Sequence, residues 1–319
     1  MKAIVQDEYG SADVLRVEEL PAPTPGTGEV LVRVHAAGVD QGVWHLMAGL
    51  PYAARAAFGL RRPRTRIPGM DLAGRVEAVG AGVTRFRPGD DVFGSATGAY
   101  AEYATGSPDR FAAKPVRLTY EQAAAVPVSA VTALQGLRDA GRVRPGQTVL
   151  VIGAGGGVGT YAVQLAKVFG AHVTGVCSGG KAELVRSIGA DEVIDYTRTE
   201  LTGRYDVILD LAGNRSLRQL RRVLAPRGTL VIAGGEGGGR WLGGVDRQLR
   251  AQLLTPFTGQ KMRGLLARQR VDDLSVLREL LESGQVTPVI DRTYPLVEVP
   301  EAIRYLRAGQ ARGKVVITP

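Results

Sequence analysis

The sequence predicts an α/β protein, a doubly wound parallel sheet joined to a smaller β-barrel-like domain. Three observations predict it. The chain has 319 residues, which suits two domains at roughly 100–200 residues each. Its first third is made of short apolar runs bounded by Gly and Pro, and its middle alternates strand-like with helix-like segments. With 45% hydrophobic and 22% charged residues, disorder is excluded as the main state.

The barrel-like reading starts at residues 30–34, a Val-rich run preceded by Pro21, Pro23, Pro25 and Gly26. Similar runs follow at 72–79 and 91–93, a spacing that suits a small barrel better than βαβ units. Residues 120–137 are Ala-rich with helical spacing, and Arg144-Pro145-Gly146 closes that stretch. Strand candidates then fall at 148–152, 172–177, 192–195, 206–211 and 229–233. Helix-forming runs at 161–169, 181–187 and 216–224 separate them, the alternation of a parallel sheet. Residues 236–270 interrupt it with Gly237-Gly238-Gly239 and a basic, Leu-bearing segment at 249–270. That segment reads as a packed or subunit-contact helix, or alternatively as an amphipathic membrane-surface helix. A helix at 272–282 and strands at 286–290 and 315–317 complete the chain. The expected division is 1–120, completed by 284–319, with 121–283 between.

Composition narrows the function. A single cysteine, Cys177, excludes an intrachain disulfide and a four-thiolate zinc site. The net charge is +9, yet the Arg excess is scattered and shows no aromatic-basic interleaving, so no nucleic-acid partner is expected. No stretch approaches the ~18 apolar residues of a membrane span, and no stable membrane insertion is expected. Asp7 and Glu8 closely follow the short apolar start, so no secretory segment is read and a cytoplasmic address is expected.

The motif with chemistry is Val149-Leu150-Val151-Ile152-Gly153-Ala154-Gly155-Gly156-Gly157-Val158-Gly159, running into a helical pattern. Gly153, Gly156 and Gly159 give G-x-x-G-x-x-G spacing. A tight turn, a close backbone approach and a helix N-terminus together suit a dinucleotide pyrophosphate. NAD-specific folds carry an acid at the end of the next strand. Here that end reads Val176-Cys177-Ser178-Gly179-Gly180-Lys181. Ser178 and Lys181 offer a hydroxyl and a cation to a 2′-phosphate, so NADPH is the expected cofactor, unless Lys181 is only a surface lysine.

At these residues the chain resembles the medium-chain dehydrogenase/reductase superfamily, in its zinc-independent quinone oxidoreductase-like branch. Further matches are Pro25-Gly26-x-Gly28-Glu29-Val30-Leu31-Val32-Arg33-Val34, Arg87-Pro88-Gly89-Asp90-x-Val92-Phe93-Gly94 and Ala125-Val126-Pro127. Thr132-Ala133-Leu134, Asp195-Tyr196 and Ala311-Arg312-Gly313-Lys314-Val315-Val316 continue them. The resemblance implies a GroES-like N-terminal domain, a Rossmann domain, a nicotinamide cofactor in the cleft and a homodimer. It implies Thr132 near the nicotinamide and Gly156, Gly157 and Val158 on the pyrophosphate. Ser178, Lys181 and Tyr196 would surround the 2′-phosphate, with Tyr196 alternatively a core residue, and Lys314 would be a further phosphate contact.

The departures from the family pattern concern metal. Zinc-dependent relatives carry Cys near position 40 and Gly-His-Glu at 69–71, where this chain has Asp40 and Gly69-Met70-Asp71, and two carboxylates do not rescue a zinc site without soft or imidazole ligands. No metal is expected. The resemblance then implies hydride transfer to a quinone or an enone, whose conjugated carbonyl is its own electron sink. The usual Asn-Pro-x-Asp-Trp segment reads Asp40-Gln41-Gly42-Val43-Trp44-His45 here. An ionised Asp cannot donate as an Asn does, so Asp40, Gln41, His45 and Tyr52 are the candidates for the oxyanion or proton donor. A zinc-free alcohol or carbonyl dehydrogenase and a non-catalytic NADPH sensor are the alternatives.

Overall fold

A computed structural model describes residues 1–235, 238–255 and 258–319. Contacts group the chain into two compact units, Met1–Val131 with Gln269–Pro319, and Thr132–Arg268.

The first unit opens with a small ribbon in which β1 (Lys2–Val5) pairs antiparallel with β2 (Arg16–Glu19). Its larger sheet contains β3 (Val30–Val39), β4 (Asp71–Val79), β5 (Asp91–Ser95) and β7 (Phe111–Ala113), with β6 (Tyr103–Gly106) on β3. The β-branched run of β3 suits this pleated, mostly buried position. Ile4, Val32, Leu72, Tyr100 and Phe111 fill the core beneath it, each fully buried.

Residues 120–137 were expected as one helix and form three segments. The helices Tyr120–Ala124 and Pro127–Leu134 are followed by π-helical turns at Gln135–Gly141. Pro127 has no N–H and pushes its predecessor out of helical geometry, so the chain restarts there.

The second unit holds six strands, β8 (Thr148–Ile152), β9 (His172–Cys177), β10 (Glu192–Asp195), β11 (Tyr205–Asp210), β12 (Leu224–Ile232) and β13 (Lys261–Gly264). Every pairing is parallel, in the order β10-β9-β8-β11-β12-β13. Strand order reverses between β8 and β11, and such a switch point opens a binding crevice at the carboxyl ends.

The Leu-bearing segment differs from expectation. Its helix spans Val245–Leu254, and the chain then turns into β13, an edge strand that pairs with β12. Residues 256 and 257, like Gly237 of the glycine cluster, lie outside the described residues. The helix Val271–Glu282 belongs with the first unit, because Val116 N–H and Arg117 Nη1 donate to the Glu282 carboxylate and carbonyl at 3.1 and 3.3 Å. Two last strands, β14 (Ile290–Pro295) and β15 (Lys314–Thr318), extend the larger sheet to β14-β15-β3-β4-β5-β7. The strand expected at 286–290 therefore begins at Ile290.

Candidate active site

At the carboxyl end of β8 the backbone turns through Gly153, whose φ of +89° is open to glycine at little cost. Gly153 and Ala154 N–H both donate to the Val176 carbonyl at 3.0 Å, tying the turn to β9. The helix Gly157–Val168 starts at Gly156 without a side-chain cap. Its first N–H groups are therefore available to an anion, reinforced by the helix dipole. Gly159 explains the third glycine: a Cβ there would lie 2.1 Å from the Gly153 oxygen. Gly157 and Val158 lie in the first turn and are part-exposed.

The Lys181 stem lies over this turn, and a Cβ on Gly155 would approach its Cβ to 2.8 Å. Ser178 is half-buried at the end of β9, and its carbonyl accepts from Lys181 N–H at 2.9 Å. Tyr196 is 50% exposed, so its core alternative is excluded. It opens onto a groove of about 320 Å³ that Arg198, Arg215 and Arg222 also line. Sequence reasoning missed Asp195. The register pairs Asp195 with Cys177, which brings an acid from β10 to the end of β9. Its Oδ1 accepts from Thr197 N–H and Oγ1 at 3.0 and 2.7 Å. These bonds and one from Gly179 N–H hold the carboxyl below its usual range.

The first unit contains a buried polar nest. Asp40 is 8% exposed, Asp71 0% and Lys314 1%. Asp40 caps the helix Gln41–Ala48, its Oδ1 accepting from Val43 N–H at 3.1 Å. Its Oδ2 is buried without a hydrogen-bond partner. Ser95 Oγ donates to Asp71 Oδ1 at 3.1 Å, and Val128 N–H donates to Oδ2 at 3.0 Å. Burial first, then the charge of Asp40, pushes the Asp71 carboxyl up to about 7, while Lys314 opposes the rise. Tyr100, fully buried beside both acids, donates to the Gly38 carbonyl at 3.3 Å, and burial raises its phenol.

Lys314 requires a correction. Its ammonium is not presented to a phosphate at the surface; it donates to Ser129 Oγ at 3.0 Å inside the nest. The buried Asp71 carboxylate keeps it there, because an ammonium and a carboxylate out of water each need the other. Ser95, Tyr100 and Ser129 carried no motif, Asp71 was read only with Asp40 as a carboxylate unfit for zinc, and only their assembly shows the nest. Among the described residues, no three His, Cys, Asp or Glu side chains converge as a metal-ion site.

Asp40, His45 and Tyr52 are not gathered at one point. Asp40 sits at the start of the helix Gln41–Ala48, and His45 lies about 7 Å along its axis at 1.5 Å per residue. There His45 Nδ1 is 2.9 Å from the Leu50 carbonyl, and the ring meets Trp44 edge-on. Tyr52 lies beneath the Arg55 guanidinium, 4.9 Å from its ring centre. Gln41 Oε1 accepts from Arg307, whose guanidinium covers Trp44 at 3.6 Å. Packing explains Trp44 and Tyr52. Thr132, on the helix Pro127–Leu134, is half-buried.

A parallel sheet whose first strand runs into a glycine turn and an uncapped helix defines a dinucleotide-binding oxidoreductase domain. The family profiles agree: residues 26–116 match the alcohol dehydrogenase GroES-like domain and 188–317 match the zinc-binding dehydrogenase family. The chain is 35% identical to the mouse mitochondrial NAD(P)H oxidoreductase RTN4IP1, over 99% of this chain and 89% of that protein. It is 34% identical to tomato 2-methylene-furan-3-one reductase, over 100% of this chain and 79% of that one. The quinone oxidoreductase structure from Coxiella burnetii superposes with a TM-score of 0.88 at 28% identity, covering 100% of this chain and 99% of that chain.

The chain belongs to the medium-chain dehydrogenase/reductase superfamily, in its quinone-oxidoreductase-like branch, and is an oxidoreductase using a nicotinamide cofactor. No helix among the described residues is long and apolar enough to cross a membrane. The mouse relative is described as mitochondrial, so similarity lends the cytoplasmic address no support.

Proposed function

We propose that the chain is an NADPH-selective reductase of quinones or α,β-unsaturated carbonyl compounds that works without zinc. The observation that carries this reading is the commitment of the buried nest. Both Asp71 oxygens are spent on Ser95 and Val128, and the Lys314 ammonium neutralises them where zinc relatives place ligands. Two carboxylates and an ammonium do not fit zinc, which favours thiolate and imidazole. Without a Lewis acid, the substrate must stabilise its own developing charge, and a conjugated carbonyl does so. The names of the tomato and Coxiella relatives support that class.

When bound, the cofactor supplies a hydride to the electron-poor carbon of the substrate. The N–H groups of Gly157, Val158 and Gly159 would hold its pyrophosphate, with Gly153 and Gly156 shaping the turn. Ser178, Lys181 and Tyr196 would hold the adenosine 2′-phosphate. Asp195 does not compete for the ribose hydroxyls, because Thr197 and Gly179 already occupy it. Thr132 would serve the nicotinamide half, as the resemblance implies.

The nest supplies the proton. A carboxyl titrating near 7 can hold a proton and release it at neutral pH. Asp40 Oδ2, buried and unpartnered, is the open polar atom of the nest. His45 is the secondary candidate, and Tyr52 has a structural role under Arg55.

The test is a substrate panel with chelator-treated protein: a benzoquinone, a conjugated enone and a saturated aldehyde. Turnover of the first two is expected, with the aldehyde inert. Aldehyde turnover that disappears on chelation and returns with zinc would overturn the reading.

A further inference from the structure

The scattered positive charge of the sequence is partly collected in one place. A groove of about 560 Å³ in the second unit is lined by Arg142, Arg144, Arg227, Lys261 and Arg263, with Asp206 as its acid. It lies at the amino ends of the strands, beside Thr148 of β8 and the first residue of β13. The glycine turn is at the opposite end. Five residues of β8 separate the two, about 13 Å at 3.3 Å per residue. The groove is therefore not part of the dinucleotide site.

The charges are poorly compensated. Asp206 is engaged, its Oδ2 accepting from Thr148 N–H and Oγ1 at 2.9 and 3.0 Å. Arg263 is held in place by donating to the Ala140 carbonyl at 3.0 Å. Arg142, Arg144, Arg227 and Lys261 are exposed and form no ion pair among the described residues. Other surface arginines behave differently: Arg16, Arg66, Arg75 and Arg304 each meet a carboxylate. A concavity lined by one sign of charge focuses its field and concentrates counter-ions. Its volume falls within the small-ligand range of roughly 300–1,000 Å³, and guanidinium forks match phosphate oxygens.

We propose that this groove is a second anion site, binding a small molecule that carries two or more phosphate groups. A single phosphate would engage only part of the cation set, whereas linked phosphates span it. The cations line a single concavity, which favours a discrete ligand over a nucleic-acid backbone or a lipid surface.

The test is titration calorimetry with inorganic tripolyphosphate and, separately, ATP, each with and without saturating NADPH. One site per chain that persists with NADPH is expected, weakening as salt rises from 50 to 200 mM. Arg227→Glu with Lys261→Glu should weaken it at least tenfold, and Arg144→Gln with Arg227→Gln several-fold. The control Arg218→Glu with Arg278→Glu should leave it intact. ATP and tripolyphosphate binding alike identifies the phosphate chain as the recognised group. Tripolyphosphate binding that NADPH abolishes, or that the groove variants leave unchanged, overturns the proposal. So does retention on anionic vesicles or duplex DNA without tripolyphosphate binding.

Discussion

The glycine turn and the carboxylate nest present polar groups in opposite ways. At the turn, an uncapped helix leaves backbone donors open to a ligand that arrives from solution. In the nest, the chain removes two carboxylates and an ammonium from water and pairs all but one of their polar atoms, Asp40 Oδ2, internally. One region depends on what is left unfilled, the other on what is already filled. Substitutions at the turn should therefore act on cofactor binding, and substitutions in the nest on stability or its pH dependence.

The sharpest break is Gly159→Val. Its Cβ would fall 2.1 Å from the Gly153 oxygen, so the turn cannot close on a pyrophosphate. NADPH affinity measured by fluorescence should fall more than about 100-fold, the cost of losing several phosphate bonds at about 1.5–3 kcal/mol each. Lys314→Met should act on the other region. It leaves buried carboxylates without their cation, a change that costs about 3–5 kcal/mol, read by urea unfolding at pH 7. Unchanged stability would mean that Lys314 does not serve the nest.

Lys181→Ala should raise the KM for NADPH about 10- to 150-fold while leaving that for NADH nearly unchanged, since one charged hydrogen bond is lost. Equal effects on both cofactors would remove Lys181 from the 2′-phosphate.

Asp71→Asn tests the nest through pH. The folded carboxyl is raised to about 7, against about 3.9 unfolded, so the folded state binds more protons between these values. The Asp71 contribution to stability should therefore be largest below about pH 4, fall as pH rises toward 7 and level off above it. Asp71→Asn should flatten that slope in thermal melts across pH 4–8. A slope that survives the substitution would place the titration elsewhere.

The two regions also differ in how far the sequence reveals them. The turn was legible because its residues are consecutive and its chemistry is backbone geometry; Gly153, Gly156 and Gly159 announce it by spacing between a strand-like run and a helical pattern. The parallel sheet was legible for a similar reason, since each strand is a local apolar run. The nest was not, because Asp40, Asp71, Ser95, Ser129 and Lys314 come from five separate stretches. Asp40 and Asp71 were paired only as carboxylates unfit for zinc, and Lys314 was assigned a phosphate because a terminal Gly-Lys-Val says nothing about burial. Asp195 was overlooked for the related reason that strand register, and not sequence distance, sets it beside Cys177. The short β13 was hidden because Lys261-Met262-Arg263-Gly264 has no strand-like run and gains its geometry only from β12.

The most direct measurement is NADPH oxidation by chelator-stripped protein with a benzoquinone, followed from pH 5 to pH 9. Turnover should survive stripping and decline above pH 7, as the buried Asp71 carboxyl loses its proton. Activity that vanishes on stripping and returns with added zinc would contradict the account.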